Sequence, residues 1–441
     1  MKNFLRASLL ILVCCGNLTA IMGQTSQRLS LADCIALAIK NNPMLQRSEL
    51  ELSRNEVNYK QSKYNRLPAI AGNVGHSYNE GRSINTTTNQ FVDNNYYSGS
   101  QSLSLSAPIF RGFEILHDIR RKASARQAGK FEFESAINEL KLDVIEAYIL
   151  VLTSRDMLQQ AEGQLAVTQE NLRRATVMQG EGAINPGDYH DLKGQAYAEQ
   201  NTLENTKRDL YNNEARLAAL LYLPVAELPS LHPLAMPSSV ASSSETELYE
   251  EALQVLPNFK ALDWRIREAE QAIKVAKSAY YPTLSLDAGI RSIYSSVDVL
   301  GYNYWQQLVN YPSKAISLSL SVPIFSRMAV RSQVKLAKLN LEEAKWNRKI
   351  QENDIREETA KTVFSMLTLK KNVQNLQEQE LSYQEAFRIA QVHFDAGNSN
   401  SVLFLTAKNK LDNTRNELLI RQYQWLLQKY FNDYYAGLLE L

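Results

Sequence analysis

The chain has 441 residues, 22% of them charged, and a formal net charge of +1 at pH 7. Length allows two or three domains, and the balanced charge gives no general electrostatic reason to hold nucleic acid. After the first two dozen residues no run reaches 18 consecutive apolar positions, which excludes an ordinary transmembrane helix.

Residues 1–23 have the pattern of a secretory signal: Lys2 and Arg6, an apolar run over 7–15, then small and polar residues to Gly23. Cleavage is expected between Gly23 and Gln24. Acylation of Cys14 or Cys15 is the alternative, although Val13 and Cys14 precede them where a small residue is usual. Loss of Lys2 and Arg6 takes the formal charge from +1 to −1 and leaves Cys34 as the sole cysteine, so no disulfide framework is expected.

Ser30 opens the first helix, and Asp33 supplies the reciprocal half of a capping box. Leu31, Cys34, Ile35, Ala38 and Ile39 keep to one face until Asn41-Asn42-Pro43, so Cys34 reads as a packed apolar residue. The same opening recurs at Ser244 and Glu247 and ends at Pro257. Polar helices follow over 44–66 and 258–280, stopping at Pro68 and Pro282.

Beyond each proline lies a candidate strand. Leu284, Leu286, Ala288 and Ile290 alternate with Ser285, Asp287, Gly289 and Arg291; Ile70, Gly72, Val74, His76 and Tyr78 form a weaker version. Polar connections cover 79–95 and 295–313. Returning strands read Ser-Leu-Ser-Leu-Ser-Ala-Pro-Ile-Phe at 102–110 and Ser-Leu-Ser-Leu-Ser-Val-Pro-Ile-Phe at 317–325, an offset of 215. Pro108 and Pro323 are expected to end them, since proline cannot donate to a ladder. The alternation places Leu103, Leu105, Leu318 and Leu320 on an apolar face and Ser104 and Ser319 on a polar one. Hairpins over about 69–110 and 283–325 are long enough to cross hydrocarbon at a tilt. Tyr280, Tyr281 and Phe325 at one end, with Tyr294 and Tyr311 at the other, suit an interfacial girdle. A soluble hairpin packed on a core is the competing reading, but no partner sheet is evident.

Two long helices follow, over about 113–179 and 327–395, each roughly 100 Å at 1.5 Å per residue. Leu140, Val144, Ala147 and Val151 begin a heptad seam in the first; Met366, Leu369, Val373 and Leu376 begin one in the second. Each helix ends at a glycine turn, around Gly182 and Gly397, and Asn185 and Asn400 are placed to cap the returning helices over 187–222 and 401–436. Leu405, Leu411 and Leu418 are the apolar positions expected to pack along the second of these. The chain therefore divides into a first repeat over 24–222, a Pro- and Ser-rich linker over 223–243, and a second repeat over 244–441. The fold class is mainly α with a small β part.

Four strands per chain cannot close, and an open edge in lipid leaves backbone groups unpaired. Closure takes about eight strands or more, so a barrel must be shared between subunits, with the heptad helices continuing below it as a tube. The duplicated plan, the Leu-Ser-Leu-Ser-x-Pro-Ile-Phe signature, the Asn-Asn-Pro start and the Phe-x-x-Gly turn resemble TolC-type outer-membrane efflux proteins. The resemblance implies a homotrimer with a twelve-stranded barrel in the outer membrane lipid of a Gram-negative bacterium. It also implies a twelve-helix periplasmic tunnel that docks a periplasmic adaptor and an inner-membrane transporter of RND or ABC type. The expected function is a passive exit duct for efflux or type I secretion; a periplasmic coiled-coil adaptor without a pore is the alternative.

The resemblance also implies a gate. Family members close the tip with acids six and nine residues after the turn glycine, which here are Asp188 and Asp191, but Leu403 and Thr406 in the second repeat. The tyrosine and arginine that latch the best-known member are replaced by Phe394 and Ser399. Packing of Phe394 with Leu403 is therefore the expected substitute. The helix dipole gives Asp188 and Asp191 an alternative role as first-turn acids. Enzyme chemistry finds little support: His76, His117, His190, His232 and His393 are scattered without metal spacing, and Gly180-Glu-Gly182 follows a helix rather than a strand. No cofactor is expected.

Overall fold

The computed structural model describes residues 28–84, 89–236 and 244–439. The expected signal segment, its cleavage point, Cys14 and Cys15 lie outside the described residues, as do 237–243 of the linker. The elements run α1 (Leu31–Asn41), α2 (Pro43–Tyr64), β1 (Ala69–Asn79), β2 (Arg82–Ile84), β3 (Phe91–Asp93), β4 (Tyr96–Arg111), α3 (Glu114–Gly180) and α4 (Pro186–Leu221). The second repeat gives α5 (Glu245–Val255), α6 (Pro257–Ser278), β5 (Thr283–Ser295), α7 (Tyr304–Asn310), β6 (Ser313–Ser321), α8 (Ala329–Asp395) and α9 (Ser401–Tyr435).

Local chemistry sets the breaks. Both capping boxes form, Ser30 with Asp33 and Ser244 with Glu247. Pro43, Pro186 and Pro257 occupy first helical positions, where no amide donor is needed. The turns into the two 67-residue helices match as well: Gly112 and Phe113, and 215 residues later Arg327 and Met328, all have positive φ. Gly112 is required there, because a Cβ would lie 2.5 Å from the Ser278 carbonyl oxygen.

The principal sheet is antiparallel in the order β1-β4-β5-β6, so the two hairpins are joined through β4 and β5. Pro68 and Pro282 sit at the junctions before β1 and β5, and Pro323 follows the end of β6. Pro108 differs from expectation: it does not end its strand, which runs on to Arg111 through an irregularity between Pro108 and Phe110. The reason lies in the neighbouring strand. β1 begins at Ala69 opposite Ser106, so at Pro108 only β5 pairs with β4, and the missing amide costs no ladder bond on the open side. β6 stops at Ser321, short of the expected 325. The polar connections also contain more structure than expected: a small β2–β3 hairpin and the helix α7.

Below the sheet the helices form a wall. In its upper part α2, α3, α6 and α8 are neighbours in that order; in its lower part α3 pairs with α4 and α8 with α9, and α9 packs against both α3 and α4. The seam on α3 is internal, with Leu140, Val144, Ala147, Val151, Ala161 and Leu165 buried. Around the middle, α1 packs across α3 and α4, with Cys34 and Tyr148 fully buried. The Tyr148 hydroxyl is 3.0 Å from the Leu29 carbonyl oxygen and 2.7 Å from that of His232, tying the entering chain to the linker. Burial pushes the Cys34 thiol up to about 12, so it stays a protonated, packed group.

Candidate functional site

Two regions bear on function: the lower end of the helical wall and the two faces of the sheet. At the lower end both long helices stop the same way. Gly182 and Gly397 take positive φ, and the amides of Ala183 and Asn398 reach back to the carbonyls of Met178 and His393. These bonds satisfy carbonyls that the helix end would otherwise leave open. Asn185 then accepts from the Gly187 amide and Asn400 from the Leu403 amide, restarting the helices.

Asp188 and Asp191 lie against the other repeat. The Asp188 carboxylate accepts from the Ser401 amide at 2.8 Å, and the Asp191 carboxylate accepts from the Ser401 hydroxyl at 2.9 Å. Ser401 is the first residue of α9 and fully buried, so two acids of α4 cap the positive end of the opposite helix. Phe394 stacks on Phe404, with ring centroids 4.9 Å apart and planes 19° apart. Phe404 is fully buried beside Leu192 and Ala175. The expected contact of Phe394 with Leu403 is replaced by this one: helical rotation turns Phe404 inward and leaves Leu403 61% exposed. Thr406 is exposed and bonds the Val402 carbonyl of its own helix, while the Ser399 hydroxyl reaches only the adjacent Asn400 carbonyl. The structure thus joins Asp188 with Asp191, and keeps Leu403, Thr406 and Ser399 out of that cluster.

Two turns further along α9, Lys408 is buried between repeats. Its ammonium donates to Glu199 of α4 and Asp412 of α9, both at 2.7 Å. Gln195 also donates to Glu199, and to Asn409 across the gap. Burial pushes the Asp412 carboxyl up, against the opposing pull of Lys408. Sequence reading missed this triad, although a signal existed. Ser401, Phe404, Lys408, Leu411 and Leu418 share one seam, and a lysine within it must find buried anions.

Register assigns the sheet's faces. Leu103 lies opposite Ile290, Leu105 opposite Ile70 and Ala288, Leu318 opposite Leu286, and Leu320 opposite Leu284. Directly opposed residues share a face, so all four leucines belong to one apolar surface. Leu103, Leu318 and Leu320 are more than half exposed on it. The other face holds Ser102, Ser104, Ser317, Ser319, Asp287 and Arg291. No helix among the described residues is long and apolar enough to cross a membrane, and no acidic, His or Cys group there could hold a metal ion.

A duplicated unit of capped helix, two-faced hairpin and paired long helices defines a class of protein built to line a conduit. Comparison with known proteins identifies the class further. A family profile described as outer membrane efflux protein matches twice, over residues 34–221 and 248–429. The proteases secretion protein PrtF of Dickeya chrysanthemi is 23% identical, over 95% of this chain and 90% of its own length. The alkaline protease secretion protein AprF of Pseudomonas aeruginosa is 22% identical, over 96% and 88%. Among solved structures, the outer membrane protein VceC of Vibrio cholerae superposes with a TM-score of 0.78 at 18% identity, covering 93% of this chain and 97% of that one. The chain belongs to the outer membrane efflux protein family. It is an outer-membrane channel of the kind used in efflux and type I secretion, reaching into the periplasm.

Proposed function

We propose that three copies of the chain close into one duct, a shared twelve-stranded barrel above a twelve-helix tunnel. One observation carries this: the chain is unfinished on the same two sides in the sheet and in the upper helices below it. β1 and α2 end one side, and β6 and α8 end the other. Along α8, Leu336, Leu339, Trp346, Ile350, Phe364 and Leu367 follow a second heptad pattern and are each more than half exposed. This stripe is offset by two residues from the Met366, Val373 and Leu376 seam. At about 100° per residue that puts it on the opposite face. A helix with two opposed seams needs a neighbour on each side, as in the wall of a tube. Leu50, Val57 and Tyr64, exposed at seven-residue steps on α2, offer the complementary side. Two copies would give eight strands, whose interior side chains fill; three is the smallest number that leaves a lumen. Mass measurement of the detergent-solubilised protein is expected to give three chains, and a stable folded monomer or dimer would overturn the architecture.

In this reading the apolar face, with Leu103, Leu105, Leu318 and Leu320, meets outer-membrane lipid and the serine face lines the lumen. The two repeats run over 24–222 and 244–441, joined by the linker 223–243. The tip around Gly182, Asn185, Gly397 and Asn400 forms the periplasmic gate. Asp188 and Asp191 place three acids each around the mouth while holding the start of α9. Like charges gathered at a narrow opening focus the field and favour cations. Asp188→Asn with Asp191→Asn preserves an acceptor for Ser401 and removes the charge, so cation selectivity in bilayer conductance should fall. Phe394→Ala should raise conductance by loosening the stack on Phe404. Unchanged selectivity would return the aspartates to helix capping alone.

A periplasmic adaptor and an inner-membrane transporter would complete the machine. Two relatives aligned over nearly the whole chain are named for protease secretion, which favours a polypeptide cargo and an ABC-type transporter over an RND-type one. Copurification after crosslinking distinguishes the two: an ABC transporter in the complex supports the secretion reading, and an RND pump supports small-molecule efflux.

A further inference from the structure

We propose that α7 is a membrane-interface anchor, seated on the lipid side of the sheet at its outer rim and presenting Trp305 and Val309 to the outer leaflet. The proposal rests on the reading above in which the apolar face of the sheet meets lipid. Asn303 starts the helix through a capping box with Gln306. Gln307, only 1% exposed, holds it down. Its carboxamide accepts from the Ser295 amide at 2.8 Å and donates to the Ser295 and Tyr302 carbonyls at 2.9 and 2.7 Å, and Ser292 donates to its backbone carbonyl. Farther across the sheet, the Tyr304 hydroxyl accepts from Gln101 at 2.6 Å and lies 3.4 Å from a His76 ring nitrogen. Its ring packs against Tyr294 at 5.1 Å.

Register shows which side this is. Gln101 lies opposite Val74 and Ser292, and Gly99 opposite His76 and Tyr294. All belong to the same face as Leu103 and Ile290, so α7 covers the outer end of the apolar surface and not the serine face. Height agrees. From Leu284 to Tyr294 is ten residues, about 25 Å along the membrane normal at roughly 3.3 Å per residue and a tilt near 40°. An outer-membrane barrel's apolar band is about 25 Å tall, which sets α7 at its upper boundary. Lys314, beside Ile290 on this face, has a stem long enough to snorkel to the same level.

The outward side of α7 has the matching chemistry. Trp305 is 70% and Val309 73% exposed, one helical turn apart, with Val299 and Leu300 exposed in the preceding turn. Residues 299–311 contain no charged side chain but include four aromatics, Tyr302, Tyr304, Trp305 and Tyr311. Amphipathic rings on an uncharged segment suit the boundary between headgroups and acyl chains, and suit open water poorly.

Tryptophan quenching in proteoliposomes tests this with the full chain. Trp264, Trp346 and Trp425 lie on α6, α8 and α9 of the helical wall. Phosphatidylcholine brominated near the carbonyl end of its acyl chains should therefore quench only the share of emission due to Trp305. The loss should disappear in Trp305→Phe. Aqueous iodide should quench that share weakly. Strong iodide quenching of Trp305 with none from brominated lipid would overturn the proposal. Leu318→Trp, made in the Trp305→Phe background, tests the underlying reading separately. If bromine quenches this probe but not Trp305, the lipid-facing sheet stands and the anchor fails. If it quenches neither, the assignment of the apolar face fails and the anchor falls with it.

Discussion

Lys408→Met is expected to lower stability by about 3–5 kcal/mol, the usual cost of removing one partner from a buried ion pair. The lysine side chain is 3% exposed and those of Glu199 and Asp412 are 11% and 16% exposed, so water cannot stand in for the lost ammonium. The deficit should depend on pH. Burial already pushes the Asp412 carboxyl up, and removing Lys408 takes away the pull that opposes it. A raised folded value means stability that is complete below the unfolded value and is lost as pH rises through the folded one. Thermal unfolding followed by circular dichroism should thus show a smaller gap between variant and parent at pH 5 than at pH 7. Glu199→Gln with Asp412→Leu in the same background should recover much of the loss, because no uncompensated charge then remains. An equal gap at both pH values would mean that the triad is solvated in the assembled protein.

Arginine on the apolar face should have the other large effect. At the bilayer midplane it costs about 2–4 kcal/mol, falling to about 0–1 kcal/mol near the interfaces, and in the proposed trimer the cost recurs in each copy. Ile316, opposite Ala288 and 80% exposed, lies nearer the middle of the apolar span than Leu318, opposite Leu286. The yield of assembled trimer in outer-membrane fractions should therefore decrease from Ser319→Arg, the mildest, through Leu318→Arg to Ile316→Arg. Similar yields for all three would mean that the faces are misassigned.

The duplication, the capping boxes and the α3 seam are legible in the sequence because each is local: a side chain and its partners lie within one or two turns of chain. Pro108 is not, because its tolerance within β4 depends on where β1 begins, some forty residues earlier. At the tip the acids can be found from sequence, but not what they hold. Ser401 is 213 and 210 residues from Asp188 and Asp191, and no periodicity connects them. Leu405 is the expected member of the returning seam, but Phe404 is the buried residue. A single-residue shift of phase after the Gly397 turn cannot be read without knowing where α9 starts. Lys408 is the instructive case, since a lysine at a seam position signals a buried charge even when its partners are far away in the chain.

The unfinished sides of the chain also have a genetic consequence. Neither β1 nor β6 completes its ladder alone, so in the proposed trimer every subunit must match two others, and one faulty copy leaves a gap in the wall. If a defective allele such as Leu318→Arg is expressed at the level of the intact one and mixing is random, only about one assembly in eight contains three sound chains. Point mutations along these edges should therefore act dominantly, while deletion of the whole gene, which supplies no subunits to spoil the rest, should be fully complemented by a single good copy.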